Sequence, residues 1–423
     1  MTPSFQRQDA ELQILCALPG RAHDLARLGL LAAPGRAPVV TVIGKYNHGK
    51  SRLLNELIGM AAFSVADRRE TLVLGERLHA GVCWLDAPGL DADVDAADDG
   101  HALQAAWLKS DIRLFVHAAK EGELDAAERS LLAALRSDAQ RSKRQTLLVL
   151  TQVDQLVDEA QQQKVMQAIA LQTAAMALHA VSSTRYRQGV DAGKRLLLER
   201  SGIPALQSAL KRALEGVAEA RWHEAMLLFN EIQAELLQLQ AARQSALQGL
   251  CHEQVQQRLR FDTDLIAVLD KVAESMRAVL AAPGPDHSLT PDSFANQFKL
   301  TPGKLERNRL QVAYSTACIE INAVLLKHGA TELPLAQQTS VRSLDSVMVA
   351  VMGVYVKYRR DLGEIFCQVP GRERLLHEFS RYYEASVDRV ALARSVAAAG
   401  QALRAADQAL AAHVRCTPSR EAP

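Results

Sequence analysis

The sequence predicts an α/β domain, built on a mainly parallel sheet with helices on both faces, joined to an all-α helical bundle or stalk. Three observations lead there. Between Pro38 and about Gly216 short apolar runs alternate with helical patterns, the mark of strands joined by crossover helices. The first of those runs leads directly into Gly44-Lys45-Tyr46-Asn47-His48-Gly49-Lys50-Ser51. From Pro204 to Pro283 no proline intervenes, and apolar residues keep a three-and-four spacing throughout. The division expected is a helical segment over 1–36, the α/β domain over 37–215 and the helical part over 216–423.

In chain order, the first 35 residues read as helical and able to pack back against the later helices. Strands are expected at Val39–Ile43, Val82–Leu85, Ile112–Val116, Thr146–Leu150 and Leu178–Val181. Each is mostly apolar, as a strand covered on both faces must be. Helices are expected between them, including Leu124–Leu135 and Gln161–Leu178. Further on, Trp222, Met226, Phe229, Ile232, Leu236 and Leu239 begin one apolar face that continues to Val279. An unbroken helix over Glu219–Leu280 would be about 90 Å long. Pro283-Gly284-Pro285 makes a turn, and helical patterns return at about 302–328, 341–366 and 371–413. The run Val347–Val356 is about half of the roughly 20 residues that cross a bilayer. Followed by Lys357, Arg359 and Arg360, it reads either as a bundle core or as a lipid-contacting tip.

Composition narrows the partners. With 49 Lys plus Arg against 48 Asp plus Glu, no global field favours a nucleic acid or an acidic membrane, and no nucleic-acid partner is expected. The six cysteines show no metal or redox spacing, and the chain opens without a basic-then-apolar signal segment. A cytoplasmic location is expected, with a peripheral place at the inner membrane face as its extension.

The chemistry sits at strand ends. Gly44 to Ser51, followed by the helical Arg52-Leu53-Leu54, matches Gly-x-x-x-x-Gly-Lys-Ser in a strand-loop-helix setting. There the amides of Gly44, Asn47, His48, Gly49, Lys50, Ser51 and Arg52 are candidates to cradle phosphates at a helix N-terminus. Lys50 is placed to reach the β- and γ-phosphates and Ser51 to offer a hydroxyl to Mg²⁺. Asp86-Ala87-Pro88-Gly89 ends the second apolar run, so that Asp86 can hold a Mg²⁺ water and the Gly89 amide can meet the γ-phosphate. Between these stations Thr71 is the candidate to close over Mg²⁺ and the γ-phosphate. Thr151-Gln152-Val153-Asp154 follows a later strand, where Asp154 can accept hydrogen bonds from N1 and the exocyclic amine of guanine. Ser182 and Ser183, after the last strand, are candidates to present amides to guanine O6.

With these stations in order, residues 37–215 resemble the translation-factor-like GTPases, and more closely the bacterial dynamin-like proteins. The resemblance implies GTP and GDP as ligands, Mg²⁺ as cofactor, and hydrolysis coupled to assembly or conformational change of the helical part. It also implies self-association through GTPase domains and helices, with a membrane surface as partner. Asn47 is similar to an asparagine that in such GTPases helps bind K⁺ beside the phosphates. That matters because Leu90 stands where small signalling GTPases carry a water-orienting glutamine. Two departures stand out: Gln152 replaces the usual lysine of the base motif, and Ala87 the usual threonine. Ribosome-assembly GTPases share the same first half, so a switch that binds a protein or ribosomal partner is the alternative. An ATP-hydrolysing machine with base choice relaxed by Gln152 is a third.

Overall fold

The structure is a computed structural model that describes residues 3–63, 75–87, 107–173, 176–291, 293–294 and 298–418. Its sheet has six strands, β1 (Val39–Ile43), β2 (Gly75–His79), β3 (Val82–Asp86), β4 (Ile112–Ala118), β5 (Gln145–Thr151) and β6 (Leu178–Ala180), in the order β2-β3-β1-β4-β5-β6. β1 pairs in parallel with β3 and β4, and β4-β5-β6 continue in parallel. Every strand expected from the sequence is present. β2 is additional, and it is antiparallel to β3. It is an edge strand whose Glu76, Arg77, Leu78 and His79 are exposed, so it has no apolar run to announce it. Ala80 and Gly81, at φ 50° and 76°, make the tight link to β3 that positive-φ residues favour.

Successive residues of the strands face opposite sides. Val40, Val42, Leu114 and Val149 pack with Leu53 and Leu54 of a helix over Lys50–Ile58 and with Leu206 and Leu210 of another over Ile203–Glu215. Ile43, Phe115, Leu148 and Leu150 pack on the other face with Leu132 and Leu135 of Ala126–Ser142 and Ile169 of Glu159–Gln172. All of these sheet residues are 0% exposed. Covering both faces holds the C-terminal ends of β1, β3 and β5 at one edge, where the loops of open α/β sheets carry ligands.

The chain divides into two compact units, one of residues 1–238 with 408–423 and one of residues 239–407. The helices Pro3–Ala17 and Ala22–Leu31, and the first turns of the 64-residue helix Val217–Leu280, thus belong with the sheet. The sequence division after residue 215 followed a change in helical pattern. Charge ties these pieces together instead. Arg27 donates to Glu224 (2.8 and 3.0 Å) and lies 3.3 Å from Asp111, which also accepts the Val39 amide (2.8 Å) and Arg221. Arg27, Asp111 and Glu224 are all nearly sealed from solvent. Removing one partner of such a cluster strands the opposing charge in low dielectric, which costs about 3–5 kcal/mol. Glu224→Ala is therefore expected to lower unfolding free energy by that order in denaturant titration, and a loss under 1 kcal/mol would contradict the assignment.

The other unit has its own core, in which Phe261 stacks on Tyr383 (ring centroids 4.0 Å apart) beside Leu265, Ile321, Phe366 and Phe379. The run Val347–Val356 belongs to it. Val347 is 0% and Val356 6% exposed and Tyr314 donates to the Met352 carbonyl at 2.6 Å, so the ends of the run are core, while Val354 and Tyr355 between them are exposed. The long helix expected over 341–366 is broken: α-helix covers only Val347–Met352, ended by Gly353 at φ 72°, before a short turn at Arg359–Leu362. Helix resumes over Val369–Glu384 and Val387–Val414. Among the described residues no helix is long and apolar enough to cross a membrane.

Candidate functional site

The site is assembled where β1, β3 and β5 end. Gly44 passes so close to β4 that a Cβ would sit 2.2 Å from the Val116 carbonyl oxygen, so only glycine fits. Gly49, at φ 78°, turns the loop into the helix Lys50–Ile58. Lys50 is buried and folds back to donate to the Lys45 carbonyl at 2.8 Å, spanning the loop's mouth. A phosphate oxygen offers the same ammonium a stronger acceptor.

Beside it, Ser51 Oγ donates to Asp86 Oδ2 at 2.5 Å. The strand register makes this meeting: Val42 pairs with Asp86, so the loop that follows β1 runs past the end of β3. Asp86 is 3% exposed, and its Oδ1 is buried without a hydrogen-bond partner among the described residues. Burial pushes its carboxyl above the ordinary range, against the Ser51 hydrogen bond and the Lys50 charge. A hydroxyl and a carboxylate with a spare buried oxygen form a hard oxygen donor set, which suits Mg²⁺.

The base side is tied to the loop from behind. Thr151 Oγ1 donates to the His48 carbonyl at 2.6 Å, and Gln152 Nε2 donates to the Asn47 carbonyl at 2.7 Å. Gln152 and Asn47 both hold left-handed backbone, at φ 57° and 58°. The glutamine that replaces lysine thus still steadies the loop, by a neutral hydrogen bond. Asp154 follows in the single turn Val153–Gln155 and is half-buried. The Ser182 hydroxyl accepts from the Arg185 amide as a helix cap, and its own amide donates to the Ser201 carbonyl (2.8 Å). Ser183 opens that helix, where amides lack an intrahelical acceptor. Arg52 is exposed on its helix, and Thr71 and Gly89 lie outside the described residues.

Losing the Gln152 contact removes one neutral hydrogen bond, worth about 1 kcal/mol. Gln152→Ala should weaken GDP binding roughly fivefold in a fluorescent-nucleotide titration. An unchanged Kd would leave the contact without a role in the loop.

The sequence did not point to Lys45, which pairs with Asp125, the cap of Ala126–Ser142, nor to His117 and Glu128 behind the loop. These residues lie on separate elements, and no spacing in the chain signals that they meet.

A phosphate loop at the end of β1, facing a carboxylate at the end of β3 on a mainly parallel sheet, defines the class: the protein is a phosphate-loop GTPase. Residues 39–152 match the family of GTPase domains described as 50S ribosome-binding GTPases. An uncharacterised protein of Acinetobacter baylyi is 49% identical over 389 residues, covering 92% of this chain and 93% of its own, and the chain belongs to the same family. GTPase Der of Streptococcus pyogenes is 35% identical over 99 residues, only 22% of either chain. Of solved structures, Toc33 from Arabidopsis thaliana in complex with Mg²⁺ and GMPPNP is similar over 51% of this chain and 95% of its own, at 18% identity and a TM-score of 0.31. The bacterial dynamin GTPase LeoA from ETEC is similar over 98% and 97%, at 12% identity and a TM-score of 0.34. At scores this low neither likeness bears on the helical half.

Proposed function

We propose that the protein is a Mg²⁺-dependent GTP hydrolase of the dynamin-like kind, in which turnover drives assembly or rearrangement of the helical part at a membrane surface. The carrying observation is the Ser51–Asp86 pair beside Lys50, with its spare buried carboxylate oxygen. In this reading the loop from Gly44 to Arg52 holds the phosphates and Ser51 and Asp86 hold Mg²⁺. Thr71 and Gly89 sense the γ-phosphate, while Thr151, Asp154 and Ser183 frame the guanine. Asn47, exposed in the loop, is the K⁺ ligand that compensates for Leu90.

Coupling to the helices is supported by Arg221, on the long helix Val217–Leu280, which donates to Asp111 just before β4 and to the Ala37 carbonyl just before β1. Membrane contact is supported by Leu289, Phe294, Phe298 and Leu300, which are 68–93% exposed, with Lys299 among them. Exposed aromatics beside a cation suit a lipid interface. A second reading, a slow switch for a ribosomal partner, is supported by the description of the family that residues 39–152 match.

One set of assays separates these readings. Turnover per molecule is measured across protein concentrations in KCl and in NaCl at equal ionic strength, with and without anionic vesicles. The assembling enzyme should turn over faster as concentration rises, and faster in KCl. A flat profile favours the switch, and equal rates in the two salts remove potassium. Phe294→Ser with Phe298→Ser should abolish vesicle co-sedimentation while leaving GDP affinity unchanged, and undiminished sedimentation would exclude this surface.

A further inference from the structure

Behind the phosphate loop three side chains meet that the nucleotide chemistry does not use. His48 stands in the loop, His117 is the next-to-last residue of β4, and Glu128 lies in the first turn of Ala126–Ser142. They are 3%, 2% and 2% exposed, and one donor atom from each lies within 4.8 Å of the others. His117 Nδ1 is 2.8 Å from Glu128 Oε1, and His48 Nδ1 is 3.6 Å from the same oxygen.

Hydrogen bonding around the cluster fixes what each atom can offer. The Gly122 carbonyl lies 3.1 Å from His117 Nε2, so this nitrogen carries the hydrogen and a neutral ring turns its Nδ1 lone pair toward Glu128. The other oxygen of Glu128 accepts the Asp125 amide at 3.2 Å. His48 Nδ1 meets a second oxygen, the Val116 carbonyl at 3.3 Å, so this nitrogen also faces an acceptor and its hydrogen is what a bound ion displaces. A lone pair aimed at a carboxylate oxygen 2.8 Å away, sealed from water, requires a positive charge between them.

We propose that His48, His117 and Glu128 are the ligands of a structural divalent transition-metal ion, with zinc the best match to two imidazoles and a carboxylate. Donors bound at about 2.1 Å to a tetrahedral ion lie about 3.4 Å from one another. The separations of 2.8 and 3.6 Å to Glu128 bracket that value, and the donor atoms of the two histidines lie within 4.8 Å of each other. The Gly122 carbonyl on the far nitrogen of His117 and the Asp125 amide on Glu128 are the outer partners that orient metal ligands. The ion fastens the phosphate loop to β4 and to the following helix, alongside Thr151, whose hydroxyl bridges the carbonyls of His48 and His117. It is distinct in chemistry from the oxygen site at Ser51 and Asp86, and it does not depend on which nucleotide the loop holds.

The full chain, stripped with chelator and dialysed, is titrated with Zn²⁺ alone and with Co²⁺ alone. One equivalent should bind per chain, Co²⁺ should show the intense visible bands of an ion with fewer than six ligands, and the thermal midpoint should rise. X-ray absorption of the zinc form should show a nitrogen and oxygen shell with two imidazoles and no sulfur. His117→Ala and Glu128→Gln, checked for folding by circular dichroism, should each lose the equivalent. The proposal is overturned if the native chain binds no equivalent, if the shell contains sulfur or lacks imidazole, or if both variants bind metal undiminished. A proton on His117 then fills the gap. The absorption measurement on the native chain decides the matter even where a variant does not fold.

Discussion

Lys50→Ala is expected to reduce GTP turnover by about a thousandfold or more and to weaken triphosphate binding more than diphosphate binding. The ammonium is the cation built into the mouth of the loop, buried and already engaged with the Lys45 carbonyl. In the proposed complex it lies between the transferred group and the leaving oxygen, where negative charge develops. Alanine removes this stabilisation and leaves the amides of the loop to hold the diphosphate by themselves. The variant also loses the internal bond to Lys45, so a thermal midpoint accompanies the kinetics. Single-turnover rates and separate GTP and GDP titrations make the check. Turnover within tenfold of the native chain, in a folded variant, would remove Lys50 from the site.

What the sequence disclosed depends on whether the physical cause is local. The five strands announced themselves because they are mostly apolar, most fully where both faces are covered, as in Val39–Ile43 and Ile112–Ala118, and less so in the half-buried Leu178–Ala180. β2 is an exposed edge, so nothing selected an apolar pattern and only the Ala80-Gly81 turn hinted at it. The break near Gly353 was hidden because the segment from Val347 to Val356 is apolar nearly all along, so its composition does not show where Gly353 turns the chain and leaves Val354 and Tyr355 exposed. The phosphate loop was legible for a chemical reason: consecutive amides and one lysine must come from one stretch of chain. The Ser51–Asp86 meeting followed from strand order, which alternating strands and helices imply. The buried charges that bring Arg27, Asp111 and Glu224 together were not legible, because they join residues far apart in the chain through tertiary packing. The same holds for His48, His117 and Glu128. Gln152 read as a lost lysine, yet its contact with Asn47 preserves the lysine's bracing of the loop, a geometry that residue identity alone does not convey.

Asp86→Asn is expected to trade activity for stability. The carboxylate is buried, and burial holds its pKa above the ordinary carboxylate value despite the opposing Ser51 bond and Lys50 charge. Without nucleotide, ionised Asp86 is therefore a cost to the fold, incurred to keep Oδ1 poised for a cation's water. Asparagine is nearly isosteric and retains an oxygen for the Ser51 hydroxyl, but has no charge to desolvate. The nucleotide-free variant should consequently melt at a temperature equal to or higher than the native chain. Turnover should fall about a hundredfold or more, because the charge that fixes Mg²⁺ opposite Ser51 is gone. Raising Mg²⁺ should recover part of the loss if Asp86 acts through the ion, and none if it acts only through the shape of the loop. Melting curves with and without Mg²⁺·GDP complete the comparison: Mg²⁺ should add less stability to the GDP complex of the variant than to the native one. A variant that melts lower without nucleotide, yet hydrolyses GTP at the native rate, would make Asp86 a packing residue and move the metal site elsewhere.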